Sequence, residues 1–173
     1  MLAASTGVRQ GEALGLEIQH VHFGDGYIAV VQSWRREHGF AAPKWGSTRV
    51  IPLPAKTAGA LADVIERSRF KQPDALVFSN GKDPRIPPNN HRVLDALSAA
   101  LAAIGISQED RKRRNVGYHS WRHYANTRLR TMVPDAQLRK LTGHKSAEMT
   151  ETYYHPRLED LTELRQAQES LVV

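Results

Sequence analysis

The sequence predicts an α+β fold, mainly α, in which a small three-stranded antiparallel sheet near the N-terminus packs on a helical domain. Three observations predict it. Residues 18–31 contain two β-prone runs split by Gly24-Asp25-Gly26, a hairpin signal. Arg49-Val50-Ile51-Pro52-Leu53 supplies a third run of the same kind. From Pro54 onward, apolar residues recur at helical rather than alternating spacing.

Leu2, Ala3, Ala4 and Ser5 precede a turn-like Thr6-Gly7, so the opening reads as the end of a helix begun upstream. A short helix follows over about residues 10–16, and then the two strands of 18–31. The stretch 34–47 carries Gly39, Pro43 and Gly46 and reads as a polar loop, with Lys44 just before the third strand. Residues 55–69 set Ala60, Leu61, Val64 and Ile65 at helical spacing; Pro88-Asn89-Asn90 starts a second helix with the stripe Leu94, Leu97, Leu101 and Ile104. Arg111-Lys112-Arg113-Arg114 reads as a basic loop leading into a helix over about 120–131. Pro134 opens a helix to Leu141, residues 146–153 form another, and 158–171 a last amphipathic one.

With 173 residues, no internal repeat and no low-complexity tract, the chain reads as one domain over 1–173. Lys and Arg number 24 against 18 acidic residues, a net charge of +6 that suits a polyanionic partner. Composition alone leaves a merely solubilising surface charge equally open. The absence of cysteine removes disulfides, thiolate metal sites and thiol nucleophiles, and points to a reducing, cytoplasmic compartment. No secretory leader and no run of about 18 apolar residues is present, so neither secretion nor membrane insertion is expected.

Four segments carry the chemistry: Thr6-Gly7-Val8-Arg9-Gln10-Gly11-Glu12; Lys44 through Leu53; His119-Ser120-Trp121-Arg122-His123; and Leu141-Thr142-Gly143-His144 followed by Tyr153. Lys44 stands five residues before Arg49, and His144 nine before Tyr153. In order and spacing this set resembles the signature of the tyrosine site-specific recombinases, the phage integrase family. That signature is a T-G-x-R-x-x-E turn, a lysine ahead of an R-x-x-P-L strand, an H-x-x-R helix, and a G-H before the nucleophilic tyrosine. The resemblance runs from Leu2 to about His155 and implies the family's catalytic-domain fold. It also implies that a separate N-terminal DNA-binding domain is missing from this chain.

A phosphodiester repels nucleophiles, and in the transition state its negative charge spreads over nonbridging oxygens, which guanidinium forks can meet with paired hydrogen bonds. Arg9 and Arg122 fit that role, although an ordinary salt bridge is the alternative for either. The resemblance makes Tyr153 the nucleophile, His119 a proton acceptor or relay, and Lys44 the general acid for the leaving 5′-oxygen. It also gives His144 a hydrogen bond to a nonbridging oxygen, and Glu12 the task of orienting Arg9 or His119 from behind. Tyr154, Tyr124, His123 and His155 are expected to pack or hydrogen-bond, and Trp121 to sit in the core rather than stack on a base.

Two other motif readings compete. His119 and His123 are four apart and could share a metal-binding helix face, but the residues between them are Ser120, Trp121 and Arg122, without the H-E-x-x-H glutamate. The run around Gly143 imitates a helix-turn-helix, yet Glu148 and Glu151 would face the phosphates. Neither a metal nor another cofactor is expected.

The resulting expectation is a DNA-cleaving and rejoining enzyme of a mobile genetic element, acting in integration or excision through a 3′-phosphotyrosine. Its partner is double-stranded DNA, contacted outside the site by Arg111, Lys112, Arg113 and Arg114. By resemblance it is a homotetramer on DNA and a monomer when free, with the last helix docking on a neighbour or packing on its own domain. The alternatives are a type IB topoisomerase-like enzyme and a noncatalytic DNA-binding regulator of the same fold.

Overall fold

The computed structural model describes residues 1–46, 48–143 and 162–172. Helix α1 (Leu2–Thr6) ends at Gly7, whose φ of 67° is the left-handed conformation that closes a helix cheaply only in glycine. Helix α2 (Gln10–Leu14) follows one turn later. Strands β1 (Val21–His22), β2 (Tyr27–Val30) and β5 (Arg49–Pro52) form the expected three-stranded antiparallel sheet, in the order β1-β2-β5. Ile28 pairs with Val21 on one side and Ile51 on the other, and Val30 lies opposite Arg49. Ile28, Val30 and Ile51 are buried in one apolar cluster with Leu53, Leu129 and Leu141, which joins the sheet to the helices.

The stretch read as a polar loop contains a second hairpin, β3 (Ser33–Arg35) with β4 (Gly39–Ala41), closed by an edge contact between the rings of Trp34 and Phe40. It is held from outside by packing on α2. A Cβ on Gly11 would lie 2.5 Å from the Trp34 carbonyl oxygen, so only glycine permits this approach. Lys44 then opens a 3₁₀ turn, Lys44–Gly46, ahead of β5.

Helix α3 (Ala55–Arg67) buries Leu61, and α4 (Asn90–Ala103) is capped by Asn89, whose side chain accepts from the His91 amide. The α4 stripe is only partly used: Leu101 is buried, Leu94 and Leu97 are half-buried, and Ile104, beyond the helix end, lies in solvent. The expected basic loop is in fact helix α5 (Gln108–Arg113), with Ser107 accepting from the Asp110 amide. Glu109 and Asp110 lie in its first turn and Arg111, Lys112 and Arg113 in its last, the charge order a helix dipole favours.

Helix α6 (Tyr118–Leu129) turns Arg122, Ala125 and Leu129 inward, and α7 (Asp135–Thr142) ends at Gly143 with φ 64°. Trp121, expected in the core, is 39% exposed at the edge of an apolar cleft of about 380 Å³ that also has Leu94, Leu97 and Tyr118 in its lining. Tyr124 is exposed as well.

Helix α8 (Thr162–Glu169) packs on its own domain, against α1 and β5. Leu164 and Gln168 are buried; Gln168 Nε2 donates to the Ser5 carbonyl, and Glu169 accepts from the Ala55 amide at the start of α3. Arg165 Nη2 donates to the carbonyls of Asp25 and Gly26 in the β1–β2 turn. Among the described residues no helix is long and apolar enough to cross a membrane.

Candidate active site

The site is built where the ends of α1 and α7 meet the start of α2. Gly7 reverses the chain, Val8 is buried, and Arg9 caps α2. One turn on, the Glu12 carboxylate reaches back: Oε2 accepts from the Arg9 amide at 2.8 Å and Oε1 from Arg9 Nη1 at 2.9 Å. The same two oxygens accept a fork from Arg49 at the start of β5, from Nη2 at 2.8 Å and Nη1 at 3.0 Å.

Arg122, on the buried face of α6, is 4% exposed. Its Nη1 donates to the Gly7 carbonyl at 2.5 Å and its Nη2 to the Thr142 carbonyl at 2.6 Å. These acceptors belong to the C-terminal ends of α1 and α7, where helix dipoles favour a cation. Arg49 Nε donates to the carbonyl of Leu141, the residue before Thr142.

Three guanidinium groups are thus gathered around one carboxylate, an excess of positive charge in a region largely withdrawn from water. Burial pushes the Glu12 carboxyl up, but the Arg49 fork and the two Arg9 bonds outweigh it and bring its pKa to about 2. Burial, reinforced by Arg9 and Arg49 and opposed by Glu12, lowers the Arg122 pKa to about 10. Such a site gains by accepting a further anion, and a phosphodiester is an anion of suitable shape.

His119 stands one turn before Arg122 on α6, with its ring edge-on to His123 and its surface reaching solvent. Partial burial lowers its pKa, and His123, Arg122 and Arg9 act in the same direction, which favours the neutral, proton-accepting form. Burial, with the Glu12 carboxylate nearby, raises the pKa of the Tyr118 phenol, so it stays protonated. Lys44 is exposed on the turn leading into β5. His144, Tyr153, Tyr154 and His155 lie outside the described residues, and the nearest described position is Gly143.

The basic residues of α5 stand apart from this cluster. Arg113 and Arg114 pair with Asp110, Lys112 is exposed, and the half-buried Arg111 directs Nη1 at the Val116 carbonyl. Among the described residues no group of three or more His, Asp or Glu is placed to hold a metal ion.

Sequence reasoning used Arg49 only as a marker for Lys44 and missed its contacts. The signal was available: Arg49 lies two residues from Ile51, on the strand face that points to the core, where a charge needs partners.

The chain matches the Phage integrase family over residues 1–159. Tyrosine recombinase XerC of Pelobacter propionicus is 25% identical over 162 residues, covering 92% of this chain and 47% of the relative. Among solved structures, the Tn1549 transposon integrase in complex with a circular intermediate DNA superposes with a TM-score of 0.66 at 21% identity, over 83% of this chain and 48% of that one. XerH recombinase bound to its difH substrate in a pre-cleavage complex gives 0.58 at 21% identity, over 84% and 38%. The chain therefore spans less than half the length of each of these proteins. A family match that takes in the Gly7 turn, the β5 strand, the α6 helix and the end of α7 covers every element that builds the arginine cluster, and the chain belongs to the phage integrase family.

Proposed function

We propose that this chain is the catalytic domain of a site-specific DNA recombinase that breaks and rejoins double-stranded DNA. The observation that carries the reading is the convergence of Arg9, Arg49 and Arg122 around the single Glu12 carboxylate, with His119 beside them.

The scissile phosphate sits against Arg9 and Arg122, with His144 on a nonbridging oxygen. Tyr153 Oη attacks phosphorus and loses its proton to His119; the bond to the 5′-oxygen breaks as Lys44 protonates that oxygen. The product is a 3′-phosphotyrosine and a free 5′-hydroxyl. Attack by a 5′-hydroxyl of a partner strand reverses the step, and the ester-for-ester exchange balances without an external energy source. Arg111, Lys112, Arg113 and Arg114 contact the DNA backbone, two sites are joined by four protomers, and the element served is mobile DNA handled in the cytoplasm.

The test is a duplex nicked beside the scissile phosphate, from which the leaving strand diffuses away. A covalent protein–DNA adduct, abolished in Tyr153→Phe and retained in Tyr154→Phe, is expected. Binding without any adduct would instead mark a noncatalytic regulator, and relaxation of supercoils without site preference would mark a topoisomerase.

A further inference from the structure

We infer that Arg49 is a positioning residue, which sets Arg9 through Glu12 and fixes the end of α7 through the Leu141 carbonyl, so that the phosphate-binding groups stand in one geometry. The inference deepens the phosphoryl-transfer reading above and rests on it.

Every nitrogen of the Arg49 guanidinium is engaged by the protein itself: Nη1 and Nη2 by Glu12, Nε by Leu141. With 7% of its side chain exposed, Arg49 turns its Nη1–Nη2 fork onto the Glu12 carboxylate, so its fork already holds an anion supplied by the protein. What it touches are the two parts that must agree. On one side is Glu12, which accepts from both the amide and the side chain of Arg9. On the other is Leu141, whose neighbour Thr142 anchors Arg122 and whose helix leads through Gly143 toward His144.

Arg49 itself is fixed by the sheet, since its backbone lies in register with Val30. The ladder of β5 thereby transmits a rigid reference to groups on α2, α6 and α7. A lysine cannot substitute, because an ammonium is a point donor that cannot hold both oxygens of Glu12 and a carbonyl on the third side. Misplacing a catalytic group by about 1 Å can cost about 10²-fold in rate even when the change is made away from the reacting atoms.

The experiment compares Arg49→Lys and Arg49→Gln with the parent on the nicked substrate, with an ordinary scissile phosphate and with an uncharged methylphosphonate there. Expected are DNA affinity within about threefold of the parent, single-turnover cleavage lower by about 10²-fold, and a loss at least tenfold smaller on the uncharged substrate, whose transition state asks less of Arg9 and Arg122. A merely structural role predicts the same loss on both substrates. That result, or cleavage within threefold of the parent, overturns the inference. If Arg49→Gln fails to fold, Arg49→Lys, which keeps the charge, carries the comparison.

Arg9 is followed in parallel by the side-chain Nε–H resonance of 15N-labelled protein, assigned by its absence in Arg9→Lys. It shifts in Arg49→Lys if Arg49 sets Arg9, and an unmoved resonance refutes the inference even if the parent forms no adduct, the outcome that would sink the recombinase reading.

Discussion

Arg122 Nη2 donates to the carbonyl of Thr142, two residues ahead of His144, while Nη1 of the same guanidinium donates to Gly7, two residues ahead of Arg9. One buried fork thus ties together the roots of two phosphate-binding candidates. Arg122→Gln removes one partner from each carbonyl, and leaving a buried polar group unmet costs about 1–3 kcal/mol. We expect a fall in stability of that order in denaturant titration, with adduct formation reduced by about 10²- to 10³-fold. An Arg122→Gln protein that forms adduct at the parental rate would show that the fork serves the fold alone.

Glu12 gives the fold a defined acid limit. Its carboxyl pKa falls from 4.5 to about 2 on folding, so its contribution is fully present above about pH 4.5 and is lost as the pH drops toward 2. The shift corresponds to about 3 kcal/mol. Glu12→Gln should lower stability at neutral pH and flatten the pH dependence between about 4.5 and 2, measured as the urea midpoint at each pH. Parallel curves for the two proteins would place the acid sensitivity elsewhere.

His119 is held below its ordinary pKa of 6.5, so its neutral form persists into mildly acid solution. The rate of adduct formation should therefore lose its His119-dependent part only below pH 6.5, and His119→Asn should lower the rate and erase that limb. An unchanged pH profile in His119→Asn would take the imidazole out of the proton path.

Two glycine substitutions separate packing from propensity. Gly11→Ala drives a Cβ to within 2.6 Å of both the Trp34 carbonyl oxygen and Ser33 Oγ, and should destabilise by about 1–3 kcal/mol as the β3–β4 hairpin is pushed from α2. Gly59→Ala, on the exposed face of α3 with nothing near its Cβ, should stabilise by up to about 1 kcal/mol. Thermal melts of the two variants moving in the same direction would refute this account of the α2–β3 contact.

The sequence announced some parts of this molecule more clearly than others. Gly24-Asp25-Gly26 marks the first hairpin because turn chemistry is local, and the separate β-prone run from Arg49 to Leu53 supplies the third strand. The β3–β4 hairpin is held by Gly11 and by the Trp34–Phe40 contact, neither of which leaves a pattern in a three-residue strand. Helix α5 was legible in Ser107 and Asp110, a capping pair that the run of basic residues obscured. In α6 the inward stripe belongs to Arg122, Ala125 and Leu129, so Trp121 falls one position off it. Apolar periodicity does not anticipate an arginine in a core stripe, because the site, and not the hydrophobic effect, puts it there. Arg9, Glu12 and Arg122 were all named from sequence; the carbonyls of Gly7, Leu141 and Thr142 were not, since main-chain acceptors carry no residue signature.

The bonds from α8 have a consequence for how this protein matures. Gln168 meets Ser5 across 163 positions, Arg165 meets Asp25 across 140, and Glu169 meets Ala55 across 114. During synthesis α1, α3 and the β1–β2 hairpin leave the ribosome well before the α8 groups that complete them. Contacts of such sequence separation slow folding. These contacts therefore close only after residues 165–169 have been made, and a polypeptide interrupted ahead of Arg165 would hold α1, α3 and the β1–β2 turn without them.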